Sequence, residues 1–191
     1  MSMPDPNKKY TFKDYLTWQG EERWEIIEGT PYLMTAPSWQ HQAVLGSLLN
    51  QFYNFLTGGS CQVFTSPFDL RLPYQEEKDE DISNVFQPDL VVICDKSKLK
   101  GTGYVGIPTL VIEVSSPSTG KIDKILKFNA YEKAGVSEYW IVEPTDKTVS
   151  VFTLQEDKGY GRPQTYSEDD TVSVNSFPEL EIDLKKVFQD I

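Results

Sequence analysis

A single charged residue inside an apolar run constrains this chain most. Residues 109–118 read TLVIEVSSPS, with Glu113 between aliphatic residues on both sides. Such a run is typical of a strand that is buried within a sheet. Because an unpaired buried carboxylate is energetically costly, Glu113 is expected to meet either a positively charged side chain or a metal ion.

A second acid precedes another predicted strand. Asp89 follows Pro88 and stands directly before the apolar run 90–94. Its separation from Glu113 fits two neighbouring strands joined by a loop, which would bring both carboxylates to one face of a sheet. Two oxygen ligands on rigid strands suit Mg²⁺ or Mn²⁺, and the bound metal would compensate the charge of Glu113.

Phosphodiester hydrolysis would be served by a lysine close to these two acids, since its charge can orient water and stabilise charge on the phosphate. The alternation of a strand places Ser115 on the face of Glu113, so no lysine occupies that position. The helix predicted next along the chain offers three lysines instead: Lys121, Lys124 and Lys127. The simpler alternative is that Lys127 pairs with Asp123, four residues earlier, on the helix surface.

Hydrophobic spacing predicts a mixed α/β chain. The main predicted elements are a hairpin over 23–34, a helix over 38–56, strands over 61–72, 90–94 and 109–115, a helix over 116–135 and a strand over 137–144. In the second helix, Ser118 or Thr119 is expected to be the cap, and Ile125 is expected on the buried face. Residues 1–9 are predicted to be a disordered lead and residues 10–191 a single domain.

Composition narrows the setting and the partners. Two isolated cysteines, Cys61 and Cys94, predict neither a disulfide framework nor a zinc site and favour a reducing cytoplasm. No apolar run approaches the roughly 20 residues of a membrane helix, so no membrane partner is expected.

The net charge of −11 argues against non-specific nucleic-acid binding. Residues 95–133 nevertheless hold seven lysines against four acids, a net charge of +3, and the rest of the chain carries −14. The lysines either surround Glu113 or form a solvated face.

Several function classes lack their motifs. The chain has no G-x-S-x-G, no GxxxxGK[ST] and no GxGxxG, which disfavours serine hydrolases and nucleotide cofactors. His41 is the single histidine, so a zinc hydrolase is disfavoured as well. His41 itself could act as a base, as a phosphate contact or as a polar residue at the start of a helix, and it is not assigned a role.

Three stretches carry a family resemblance: QPDLVV, LVIEVSSPST and KFNAYEKAGVSEYWIVEP. In this order they resemble the Uma-type family of restriction-endonuclease-like proteins, in the PD-(D/E)XK nuclease superfamily. The likeness extends back to WEIIEG and His41 and forward to FPELEIDL, so it covers roughly residues 10–188. It implies an α/β, restriction-endonuclease-like fold with a central mixed β-sheet flanked by α-helices.

The resemblance also implies roles for individual residues. Asp89 and Glu113 would bind Mg²⁺ or Mn²⁺, and Lys127 would replace the lysine expected at Ser115. Glu25 matches an early glutamate of the family and would be a further metal ligand, or else an exposed residue of the hairpin. The implied activity is metal-dependent hydrolysis of DNA phosphodiester bonds by a homodimeric endonuclease.

A catalytically silent, dimeric binding or scaffold protein of the same fold is the alternative. The charge of −14 outside the lysine-rich segment favours it, and so does the scarcity of arginine, the usual reader of guanine edges. The chain has three arginines: Arg23, Arg71 and Arg162. The two hypotheses differ in the geometry of the site. In an endonuclease the carboxylates should converge within metal-ligand reach and Lys127 should point at them, whereas in a scaffold Lys127 can pair with Asp123 and face solvent.

Overall fold

Mixed β-sheets with helices packed against them form the fold of the computed structural model, which describes residues 4–74, 76–116 and 119–191. The strands are β1 Trp24–Ile27, β2 Thr30–Leu33, β3 Gln62–Thr65, β4 Asp69–Arg71, β5 Val85–Phe86, β6 Leu90–Ile93, β7 Leu99–Lys100, β8 Gly103–Val105, β9 Leu110–Val114, β10 Glu138–Glu143, β11 Thr148–Thr153, β12 Gln164–Ser167, β13 Thr171–Val174 and β14 Phe177–Asp183. The α-helices are α1 Phe12–Tyr15, α2 Trp39–Leu56, α3 Phe128–Ala134 and α4 Leu184–Phe188. A π-helical segment, Ile122–Lys127, leads directly into α3.

The sheet that contains Glu113 has the strand order β12-β11-β10-β9-β6-β3. Its centre is mixed, because β9 pairs in parallel with β10 and antiparallel with β6. The parallel pair requires a crossover connection, which the π-helical segment and α3 supply. A second sheet has the order β2-β1-β5-β4-β8-β7, and β13 pairs with β14 separately. The predicted central mixed sheet with flanking helices is therefore confirmed.

Strand β9 is buried on both faces. Leu110, Ile112 and Val114 belong to the core that includes α2 and α4, whereas Val111 packs in the core beneath α3. This burial explains the continuous apolar run around Glu113, since a strand covered on both sides does not alternate with polar residues.

Helix α2 follows the sequence prediction. The hydroxyl of Ser38 accepts a hydrogen bond from the backbone N–H of His41 at 3.2 Å and caps the helix. Val44, Leu48 and Phe52 recur every four residues and are fully buried. Across the described ranges, no helix combines the length and the apolar character needed to cross a bilayer.

The helix predicted over 116–135 differs from expectation at its start. It begins with the π-helical segment, and α3 then ends at Gly135, whose φ of +87° suits glycine. The extra residue in a π turn rotates the side chains relative to an α-helix, so the prediction that Ile125 is buried was wrong: it is 49% exposed. Ser118, one of the two predicted caps, lies outside the described residues.

The single strand predicted over 61–72 is two strands in different sheets. β3 pairs with β6, whereas β4 pairs with β5 and β8. Pro67 lies between them and has no N–H to donate to a ladder, which prevents one strand from continuing through it.

The two cysteines form a disulfide. Cys61 precedes β3, Cys94 follows β6, and the strand register pairs Gln62 with Ile93, so the cysteines stand opposite each other with Cα atoms 4.0 Å apart. The prediction from two isolated cysteines was wrong, because a separation of 33 residues in sequence hides adjacency across an antiparallel pair. The cysteines therefore no longer support a reducing compartment.

Candidate active site

A cavity of about 450 Å³ opens beside the ends of β6 and β9. The hairpin strand β1, the N-terminal half of α2 and the π-helical segment complete its wall. Every residue predicted for the site lines it: Glu25, Asp89, Glu113 and Lys127. Further ionisable residues that were given no role in the site line the same cavity, among them His41, Asp123 and Arg23.

Asp89 and Glu113 are brought together by the pairing of β6 with β9. The register aligns Leu90 with Ile112, and one more step along it places Asp89 opposite Glu113. The backbone N–H of Val114 donates a hydrogen bond to Asp89 Oδ2 at 2.8 Å. The two acids therefore occupy one end of a rigid strand pair, and this pair fixes their spacing.

Lys127 points into the cavity and not toward solvent. Its Nζ lies 3.0 Å from Glu113 Oε1, 3.0 Å from Glu25 Oε1 and 3.8 Å from Asp123 Oδ1. Its side chain is only 5% exposed, as is that of Asp123, so the alternative of an exposed Asp123–Lys127 pair was wrong. Glu25 is 4% exposed, which also excludes the alternative of an exposed hairpin residue.

The other two lysines of this region do not reach the cavity. Lys121 is exposed, and Lys124 pairs with Glu143 at 2.6 Å. At the position where the superfamily pattern expects lysine, Ser115 is buried. Lys127 is thus the lysine of the three that contacts Glu113.

Two hydrogen bonds orient the glutamates. The Tyr131 hydroxyl donates to Glu113 Oε1 at 2.9 Å, and the backbone N–H of Gln87 donates to Glu25 Oε1 at 2.8 Å. Lys127 and Tyr131 are four residues apart, a spacing typical of neighbours on one helix flank, but the sequence does not show that both contact Glu113. No sequence signal pointed to Gln87, because its contact depends on the pairing of distant strands.

The buried acids outnumber the ammonium among them. Burial raises the pKa of Glu113 well above its usual range, against the attraction of Lys127 and with the repulsion of neighbouring acids such as Asp89. Burial likewise raises the pKa of Glu25 and of Asp123. For Lys127, burial acts to lower the pKa, but the surrounding carboxylates raise it well above its usual range. The cluster therefore keeps its lysine charged and retains excess negative charge that a proton or a cation would relieve.

His41 lies beside Asp89. Its Nε2 is 3.1 Å from Asp89 Oδ2. Its buried Nδ1 has no hydrogen-bond partner among the residues that the structure describes. The sequence left the role of His41 open, and the fold places it in contact with one of the two strand acids.

The donor chemistry of the cavity fits a hard divalent cation. Four carboxylates line the wall, and oxygen donors of this kind are those that Mg²⁺ and Mn²⁺ prefer. In the conformation described, Lys127 lies among three of them. Outside the undescribed residues 1–3, 75, 117 and 118, no group of three or more His, Cys, Asp or Glu side chains is arranged to hold a metal. The four carboxylates therefore do not converge within metal-ligand reach in this conformation, and a complete metal site would require them to rearrange and to displace Lys127.

Three comparisons relate the chain to known proteins. A family described as Uma2, "Putative restriction endonuclease", matches residues 12–185. An uncharacterized protein of Synechocystis sp., slr1290, is 29% identical over 155 residues, which are 80% of this chain and 78% of that protein. The crystal structure of a protein from Anabaena variabilis, titled "a putative nuclease belonging to DUF820", matches with a TM-score of 0.74 and 20% identity, over 94% of this chain and 97% of the other. At that identity the structural likeness shows the fold alone, and it confirms the predicted nuclease-like architecture.

Proposed function

The chain belongs to the Uma2 family of restriction-endonuclease-like proteins, and from this premise we propose that it is a metal-dependent endonuclease that hydrolyses DNA phosphodiester bonds. The observation that carries the proposal is the position of Asp89, Glu113 and Lys127 on the wall of one cavity. Two acids on neighbouring strands and a lysine on the same cavity wall are the kinds of group that this chemistry uses.

Each residue has a separate task in the proposed reaction. Asp89 and Glu113 hold Mg²⁺ or Mn²⁺, and Glu25 is a further ligand, either directly or through water. A metal held there would supply a coordinated water of lowered pKa and would neutralise charge on the phosphate. Lys127 leaves the carboxylates, orients the attacking water and stabilises the negative charge that develops on the phosphate.

Hydrogen bonds around the acids support this arrangement. The Tyr131 hydroxyl holds Glu113, the backbone N–H of Gln87 holds Glu25, and the backbone N–H of Val114 holds Asp89. Partners of this kind orient metal-binding side chains and keep their oxygens aimed at the site. These side chains are not arranged as a metal site in the conformation described, so the proposal requires both the departure of Lys127 and a convergence of the carboxylates.

The substrate and the assembly are finer parts of the proposal. The substrate is DNA, and the protein acts as a homodimer with one site for each strand. The location is the cytoplasm, where the DNA of the host or an invader is accessible. Thiol labelling in freshly lysed cells would show whether Cys61 and Cys94 are paired in that compartment.

Calorimetric titration with Mn²⁺ tests the metal site. Asp89→Ala should abolish Mn²⁺ binding and cleavage of plasmid DNA while leaving the melting temperature close to that of the wild type. Asp146→Ala, which removes an exposed acid away from the cavity, should bind and cleave like the wild type. A fully active Asp89→Ala protein, or one with unchanged Mn²⁺ affinity, would refute the assignment.

The scaffold hypothesis also has an observation in its favour. Lys127 is bound by Glu25 and Glu113, as it would be in a structural cluster that holds β1, β9 and the π-helical segment together. A scaffold predicts no cleavage of single-stranded or duplex DNA in Mn²⁺, and Mn²⁺ affinity that does not depend on Asp89.

A further inference from the structure

The cavity wall carries an arginine that the proposed reaction does not use. Arg23 directly precedes β1, and the alternation of a strand places it on the same face as Glu25. Arg23 lines the cavity together with Glu25 and Asp89. A guanidinium group therefore lies on the wall that also carries the proposed metal ligands.

Neutral partners orient the Arg23 guanidinium. The side-chain oxygen of Gln87 accepts a hydrogen bond from Arg23 Nε at 2.8 Å and a second one from Nη2. The hydroxyl of Ser66 contacts the same Nη2. Because both partners are uncharged, they fix the plane of the guanidinium but do not neutralise it.

No carboxylate pairs with Arg23 among residues 4–74, 76–116 and 119–191. Arg71 shows the contrasting arrangement, because it is buried and forms an ion pair with Asp79 at 2.8 Å. A fixed guanidinium without an acidic partner, on the wall of an open cavity, is suited to bind an anion from solution.

The partners of Arg23 also connect it to the acids. Gln87 binds Arg23 through its side chain and Glu25 through its backbone N–H. The backbone N–H of Ser66 donates to the carbonyl oxygen of Asp89 at 3.4 Å. Through these bonds the guanidinium is held in a constant position relative to Glu25 and Asp89.

The negative charge of the cavity and of the chain makes an unpaired cation on the wall useful for binding an anionic substrate. The chain has a net charge of −11, and the carboxylates of the cavity repel phosphate, while Lys127 is engaged by acids. A planar guanidinium can bind two phosphate oxygens at once. We propose that Arg23 binds a phosphate of the nucleic-acid strand next to the one that is cleaved, an inference that rests on the proposed nuclease function.

Binding of a labelled DNA oligonucleotide tests Arg23, measured by fluorescence anisotropy in EDTA with single-stranded and duplex probes. Arg23→Ala should weaken binding roughly tenfold at low salt and reduce the slope of log affinity against log salt by about one. Arg23→Lys should bind with intermediate affinity, because lysine keeps the positive charge but lacks the planar guanidinium that can bind two phosphate oxygens. Arg162→Ala removes an exposed arginine that is not part of the cavity wall and should bind like the wild type.

The outcomes separate this inference from the proposed function. Arg23→Ala that binds as tightly as the wild type overturns the inference, as does a wild type that binds Mn²⁺ through Asp89 but no oligonucleotide. Weakened binding by Arg23→Ala, with Mn²⁺ affinity independent of Asp89, would retain the phosphate site and refute the metal-dependent nuclease. If Arg23→Ala melts at a lower temperature than the wild type, the oligonucleotide affinity of Arg23→Lys is the deciding measurement. Reduced affinity of that variant supports the inference, and wild-type affinity overturns it.

Discussion

The charge cluster in the cavity has one buried lysine and three buried acids in contact with it. One ammonium, Lys127, contacts Glu25, Glu113 and Asp123. Removing one acid leaves the lysine with two others, whereas removing the lysine leaves three buried acids without a cation. Breaking a buried ion pair is costly mainly through the charge that is left unpaired, so the two kinds of substitution should differ strongly.

Lys127→Met should lower the free energy of unfolding by about 3–5 kcal/mol at neutral pH. The loss should be smaller at pH 5, because carboxylates without a cation take up protons in the folded state. Lys124→Met, in the same π-helical segment but with an exposed side chain, should cost less than about 1 kcal/mol. Urea unfolding of the three proteins measures both differences, and equal stabilities would show that Lys127 balances no buried charge.

The raised pKa of Glu113 predicts how the free energy of unfolding depends on pH. Because burial raises its pKa in the folded state above the usual 4.5, the folded protein binds a proton more tightly than the unfolded chain does. The stabilisation that the folded protein gains from protonated Glu113 is complete below pH 4.5 and is lost as the pH rises through the raised pKa. The contribution of Lys127 does not change in this range, since its pKa is raised above 10.5.

Wild-type protein should therefore lose more stability between pH 5 and pH 8 than Glu113→Gln, which cannot ionise at this position. Glu179→Gln, at an exposed position, should follow the wild type. Unfolding in urea at a series of pH values gives the comparison. An identical pH dependence in wild type and Glu113→Gln would contradict the raised pKa.

Among the secondary-structure elements, the disulfide joins β3 to the end of β6 that lies away from Asp89. Cross-linking residues 33 apart restricts the unfolded chain, typically by about 2–4 kcal/mol. Cys61→Ser combined with Cys94→Ser should lose that much stability and keep wild-type Mn²⁺ affinity. Reductant should destabilise the wild type and leave the double variant unchanged; equal stability of the two proteins in oxidising buffer would show that the bond does not form.

The sequence predicted the local secondary-structure elements better than the contacts within the site. The hairpin, α2 and β9 follow from local spacing and turn residues, and the motif spacing identified Asp89 and Glu113 as neighbours. The interactions of His41, Gln87 and the cysteine pair depend on strands that are distant in sequence, so no local pattern contains them. The π-helical turn was also missed, because the apolar spacing of that segment fits an α-helix equally well.

For the whole molecule, the proposed homodimer has a simple test. Light scattering coupled to size-exclusion chromatography should give twice the 21.8 kDa of one chain. A dimer with one site for each strand should linearise supercoiled plasmid, whereas a monomer should mainly nick it. A mass of one chain over a range of protein concentrations would contradict the dimer and leave the metal site untouched.

The position of Lys127 has a consequence for which ions could enter the cavity. An ammonium group tethered within the site competes with every incoming cation, and dilution of the protein does not weaken this competitor. A monovalent ion offers the acids no more charge than the lysine already provides, whereas a divalent ion doubles it. In the proposed metal site, the lysine would therefore favour doubly charged ions, which would bind only at a concentration high enough to displace it.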